Sequence, residues 1–357
     1  MRIHGGMRAA FLVAMAACTS VEGKTVTSLE KVPVVGFDSL FRRVDSVMLV
    51  TPDEEAIGRA SGVVVLSSAI ILSDVTRGNL KVFSKQGHLL RTIGKPGDGP
   101  GEFRMPMGVV QDGQGRLIVL DLKRSVLSTR DTSGTLLQER VMAGAWDGLA
   151  ALPGSDHVLL IGGRPRKGKE QGTGGEQMAL HDIDPAGKIS TSYHAFKWPL
   201  DPLQSSFSHY FAAAVGEHLV TGAHTTNRVY FVNRHTGKET SALIGGPWYR
   251  TPNWSKRPAA KGGVQQVGLW AKQQILLTRL FGIDGGRYLA QFRSYTADGE
   301  DQYHYVLADT AGVSLVSTLP TRLRILLVDG ETAYGIVTTA AGDAAFETFR
   351  LLAPLQH

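Results

Sequence analysis

"VVVLSSAIILSDVTRGNLKVFSKQGHLLR", residues 63–91, and "VQDGQGRLIVLDLKRSVLSTRDTSGTLLQ", residues 110–138, decide how this chain is read. Slid by 47 residues, Ile71 falls on Ile118, Asp74 on Asp121, Gly87 on Gly134 and Leu90 on Leu137. Each copy holds four short apolar runs separated by turn residues. That is the pattern of a four-stranded antiparallel unit, and recurrence at a fixed period marks a repeat architecture.

One mark recurs further along the chain: an apolar strand, a short polar stretch, then glycine. It is seen at Phe83 to Gly87, Leu127 to Gly134, Ile183 to Gly187, Val232 to Gly237 and Tyr295 to Gly299. Glycine suits such a hairpin because a tight turn needs a residue at positive φ. Six units follow, over 57–94, 104–140, 146–195, 208–245, 264–307 and 314–352. A lone four-stranded sheet exposes two apolar faces, and radial stacking buries them while leaving few free edges. The expected fold is all-β, a six-bladed β-propeller of four-stranded antiparallel blades over residues 44–357. Ser46 to Val50 is expected to close the ring as an outer strand on the last blade.

The stretch Gly97-Asp98-Gly99-Pro100-Gly101-Glu102-Phe103, then Pro106-Met107-Gly108-Val109, then Asp112 to Gly115 and Leu117 to Asp121 resembles one full NHL repeat. The resemblance is specific in the second unit, fair in the first and faint beyond. It implies a propeller and no particular activity, with exported lipoprotein propellers as the nearest kin.

The glycine-rich loop 94–103 is no phosphate cradle, since it lacks both G-K-[ST] and G-x-G-x-x-G and carries Asp98 and Glu102. A Ca²⁺ site wants six to eight oxygens, and only those two carboxylates are local. The loop therefore reads as a connection between blades, with Phe103 plugging the junction.

Residues 1–18 place Arg2 and Arg8 ahead of an apolar run from Ala9 to Cys18, which reads as an export signal too short to span a bilayer. Met15-Ala16-Ala17-Cys18 resembles a lipobox with Met where Leu is usual, so Cys18 is the expected lipidation site and residues 19–43 the tether. Cys18 is the single cysteine, which rules out an internal disulfide or a Cys-based metal site. The formal charge of +6 includes the two arginines of that signal. The balance admits anionic partners without being a nucleic-acid footprint.

Four long connections, at 94–106, 164–177, 197–208 and 246–263, are expected on one face of the propeller, and loops on a rigid scaffold are where recognition usually sits. Arg164, Arg166 and Lys167 cluster in one of them; Trp248, Tyr249, Arg250, Trp254, Lys256 and Arg257 cluster in another. These residue types are enriched at binding hot spots, and they are the expected partner-binding set. The expected partner is an envelope protein, a peptide or an anionic glycan, bound by a monomer expected to meet a membrane only through its lipid.

The alternative is a metal-dependent propeller hydrolase or lyase, gluconolactonase-like or amidating-lyase-like, with an axial Ca²⁺ or other divalent cation. Eleven histidines, seven of them between His157 and His235, invite that reading, and His209, His218 and His224 are its candidates. No H-E-x-x-H or G-x-S-x-G is present, and no catalytic set can be named from spacing.

Overall fold

A computed structural model describes residues 32–164, 176–197, 207–256, 263–310, 312–338 and 343–352. Six antiparallel sheets of four strands each are arranged as blades, the fifth carrying one extra short strand. Their first strands, Ala60–Val65, Pro106–Gln111, Ala145–Ala151, Tyr210–Val215, Leu276–Ile283 and Arg324–Asp329, form the inner wall. Each inner strand packs against the next, and the sixth packs against the first, so the ring is closed. The fold is a six-bladed β-propeller.

Blade-on-blade stacking explains why the middle strands read as unbroken apolar runs. Ala69–Asp74 and Leu117–Asp121 are buried at every residue, whereas the outer strand Leu136–Val141 has no buried residue. Middle strands have a neighbouring blade on both faces, and the outermost strands face water.

Closure uses the N-terminal strand, as expected, although that strand is longer. Phe41–Met48 pairs antiparallel with Ala344–Leu351 and supplies the outer strand of blade 6. The chain then enters blade 1, where the buried Lys81 ammonium donates to Glu55 at 2.7 Å. The folded body also begins before residue 44: Val34–Val35 pairs parallel to the fourth strand of blade 5, and Phe37 stacks on Phe41 at 4.8 Å between ring centroids. Residues 32–43, expected as tether, are packed on the propeller; residues 19–31 and Cys18 lie outside the described residues.

The glycine expectation holds in its physics. Gly87, Gly134, Gly187, Gly237 and Gly299 all have positive φ. At Gly87 a Cβ would also come within 2.0 Å of the Met48 carbonyl oxygen of the closing strand.

Two unit boundaries differ from expectation. Gly263–Lys272 is a helix, so blade 5 begins at Leu276, and Gly312–Ser317 is its fourth strand and not the start of blade 6. Gly299 consequently lies between the second and third strands of its blade, whereas the other four glycines lie between the third and fourth.

Candidate binding face and axial mouth

Strand direction sorts the connections onto two faces. Turns between strands one and two, and between three and four, share one side of the ring. The crossovers between blades and the loops between strands two and three share the other, among them 94–105 and the crossover 244–275, which carries the 3-10 turn Trp254–Lys256 and the helix Gly263–Lys272.

In the 94–105 crossover every charge is used internally. The Asp121 carboxylate accepts from the amides of Arg104, Met105 and Arg124 at 2.5, 3.2 and 3.0 Å. Asp74, one repeat earlier, does the same for Gly58, Arg59, Thr76 and Arg77 at 2.8 to 3.1 Å. An aspartate ending the second strand thus ties the incoming crossover to the next loop, which is why Asp recurs at this register. The bidentate Arg104 guanidinium pulls the Asp98 carboxyl below its ordinary range, and the Gly99 amide followed by Lys95 does so for Glu102. Phe103 is 1% exposed among side chains of blades 1 and 2, with the Arg130 guanidinium 5.0 Å from its ring centroid. Gly94, at φ +74°, lies where a Cβ would meet that ring at 2.6 Å. The loop is the blade junction its sequence indicated.

The second crossover divides the expected partner-binding residues. Tyr249 lies in the core, 6% exposed. Trp248 is turned inward, stacked on His304 at 4.4 Å with its Nε1 donating to the Ser317 carbonyl at 3.0 Å. Arg250 is exposed but folds back onto the Pro247 and Tyr249 carbonyls. Trp254 and Lys256 remain at the surface. Only the backbone of Arg164 is described, at the end of Val158–Arg164; Arg166, Lys167 and Arg257 lie outside the described residues.

Trp254 belongs to a group that sequence spacing did not reveal. Its ring lies 5.0 Å from Trp270, on the helix, and 6.3 Å from Phe207, whose ring lies 6.5 Å from His224. His224 neighbours His209, with ring centroids 6.1 Å apart, and the Nδ1 of His209 bonds the Asp147 carboxylate at 2.7 Å. Since that carboxylate only accepts, Nδ1 carries the proton and the other ring nitrogen is the basic one when the ring is neutral. The Asp147 side chain is fully buried while that of His209 is 43% exposed. His224 donates from Nδ1 to the Leu277 carbonyl at 2.7 Å, and burial, followed by the nearby charges of His209 and Arg293, lowers its pKa to about 3. His218 starts the strand His218–Ala223 at the opposite face, so the three candidate histidines do not converge. Among the described residues, no three His, Cys, Asp or Glu side chains gather in a metal-binding set.

The axial mouth on this same face is lined by arginines. Arg324, first residue of the blade 6 inner strand, donates to the Ala60 carbonyl of blade 1 at 2.8 Å. Arg279, on the blade 5 inner strand, donates to the Ser61 carbonyl of blade 1. Blade 6 stands between blades 5 and 1, so this second bond runs across the opening of the ring. Arg59 is exposed just ahead of blade 1, and Arg293 lies 5.1 Å over the Tyr295 ring.

Comparison with known proteins agrees with this architecture. Residues 16–145 match a family described as "6-bladed beta-propeller". The span takes in the closing strand and the first two blades. A Bacteroides fragilis protein named as an exported protein superposes with a TM-score of 0.63 at 12% identity, covering 91% of this chain and 99% of its own. A member of the duf4221 family from Bacteroides vulgatus gives a TM-score of 0.59 at 8% identity, covering 87% and 98%. A virginiamycin B lyase from Staphylococcus aureus is more distant, with a TM-score of 0.49 at 12% identity over 87% of this chain and 100% of its own. At these identities the likeness is one of fold.

Proposed function

We propose that the protein is an exported, lipid-anchored β-propeller that acts as a monomeric binding scaffold. It holds an envelope protein, peptide or anionic glycan on its crossover face. The observation that carries this reading is the 244–275 crossover, which holds half-buried Trp254 over the buried Trp270 and leaves Lys256 exposed, on the same face of a rigid ring as the arginine-lined mouth. An aromatic side chain on the same face as guanidinium groups suits a ligand with a flat apolar part and a negative one. Export rests on the residue pattern of 1–18, and the name of the Bacteroides fragilis protein is in keeping with it. Attachment rests on Cys18.

The test is affinity capture from native envelope extract, with bound proteins and glycans quantified by mass spectrometry. The bait is the full chain, its Trp254→Ala/Lys256→Gln variant, or its Cys18→Ala variant. The loop variant should lose at least about tenfold of its partner signal while keeping its melting profile, and Cys18→Ala should leave the membrane fraction. Undiminished recovery by the loop variant would end the assignment of this face, and undiminished membrane association would end that of the anchor.

An enzymatic reading, a hydrolase or lyase, has one observation in its favour. A solvent-reaching His209 held in one tautomer by a buried Asp147 is how a general base is presented. Turnover lost in His209→Ala and kept in Trp254→Ala would favour it over the scaffold.

A further inference from the structure

Four guanidinium groups from three blades meet at the axial mouth. Arg59 directly precedes the inner strand of blade 1, Arg324 opens that of blade 6, and Arg279 and Arg293 come from blade 5. Among the described residues, none of the four forms an ion pair with a carboxylate. The Asp301 carboxylate, whose charge reaches Arg324 without pairing with it, is exposed and accepts the Tyr303 hydroxyl at 3.0 Å. The Nε of Arg293 is buried with no hydrogen-bond partner. Arg279 and Arg324 each direct a donor to a backbone carbonyl of blade 1, which fixes their heads at the opening and leaves their other N–H donors for a further acceptor.

Like charges held together are costly, and the cost is visible here. Burial, and after it the positive charge of Arg324, lowers the pKa of Arg279 to about 9. Arg324 is lowered first by burial; Tyr303 and, more weakly, Asp301 oppose this, while Arg59 and Arg293 add to it. A polar group in such a position is normally satisfied by protein, by ordered water or by a ligand. Arg104 of the 94–105 crossover shows the alternative: its guanidinium holds the Asp98 carboxylate through two N–H donors.

We propose that the axial mouth is an oxyanion site, in which Arg59, Arg279, Arg293 and Arg324 hold a compact carboxylate, sulfate or phosphate group of the bound ligand. The planar fork of a guanidinium matches two oxygens of such a group, and several forks around one opening select for a terminal or branching anionic group over a neutral one. Of the partners considered above, this favours one presenting its negative charge at a point, such as an acidic sugar residue or a chain-terminal carboxylate. The inference rests on the crossover face being the working face.

The test is a thermal-shift and calorimetric titration of the full chain with citrate, sulfate and pyrophosphate, each against sodium chloride at matched ionic strength. At least one oxyanion should raise the melting midpoint saturably, because a ligand that binds only the folded state stabilises it. Arg59→Gln, at an exposed residue with no side-chain bond to the body, should bind about tenfold more weakly, the loss of one charged hydrogen-bonding partner, and Arg279→Gln at least as weakly. Lys188→Gln, in a turn on the opposite face, should bind as the parent does. The three oxyanions distinguish carboxylate, sulfate and phosphate sources. No rise beyond chloride with any of them, or full binding by Arg59→Gln, overturns the site. If Arg279→Gln does not fold, Arg59→Gln decides alone. Failure here with partner capture still dependent on Trp254 would remove the anion and leave the scaffold; success with no such dependence would do the reverse.

Discussion

The junction of blades 1 and 2 and the axial mouth at blades 5, 6 and 1 are both rich in charge, and they use it differently. At the junction, Asp74 and Asp121 are saturated with backbone amides, Arg104 grips Asp98, and Arg124 reaches the Glu102 and Asp98 carbonyls. At the mouth, four arginines converge and no described carboxylate pairs with them. Charge whose partners lie in the same chain holds the fold together, whereas charge gathered without partners is available to something outside it. The aromatic residues differ by degree: Phe103 and Tyr249 are sealed in the core, and Trp254 is half-buried against the buried Trp270.

The largest expected effect falls at the junction. Phe103→Ala removes a fully buried ring between two blades and should cost about 3–5 kcal/mol in urea unfolding. A loss near zero would mean that the junction is not a packed seam. Next comes Asp121→Asn, which keeps the shape but weakens the acceptor shared by three amides, for about 1–3 kcal/mol. Asp98→Asn, breaking an exposed pair, should leave the unfolding midpoint where it was; equal losses for the two would erase the distinction between a buried and a solvated carboxylate.

A pH-dependent effect is expected at two buried histidines of blades 4 and 5. The unfolded chain protonates His224 near its ordinary 6.5, while the folded protein resists until about 3, so the unfolded state binds more protons in between. His304 behaves alike, with burial lowering it to about 4. Stability should therefore be complete above pH 6.5 and fall as the pH drops toward 3, by at most about 1.4 kcal/mol per pH unit for each histidine. His224→Gln should flatten that slope, measured as melting midpoint against pH from 7 to 4. An identical slope would show that the site is wetter than its burial indicates.

Blade 2 could be read almost residue by residue because everything that builds it is local. Asp112 and Gly115 close a turn through a 2.9 Å backbone bond, and Asp121 ends a strand whose partners lie within a few dozen residues. Blade 5 was offset by one strand because Gly263–Lys272 is an apolar segment of strand length that folds as a helix. Such a short run does not declare its period. Counting that segment as a strand assigns Gly299 to the hairpin between the third and fourth strands. Trp248 and Tyr249 were indistinguishable from Trp254 by composition. Which of three aromatics in one loop turns inward depends on the space between blades 4 and 5, occupied here by Phe292 and His304.

The chain's own residues determined the repeat, the number of blades, the closing strand and the aspartates and glycines that shape each turn, because strands and hairpins are set by alternation and by φ over a handful of positions. Tertiary structure alone decided the working geometry. Arg279 meets the Ser61 carbonyl across 218 residues and Arg324 meets that of Ala60 across 264. No local pattern encodes such a meeting: closing the ring brings the starts of its inner strands to a common axis, and whichever side chains stand there become neighbours.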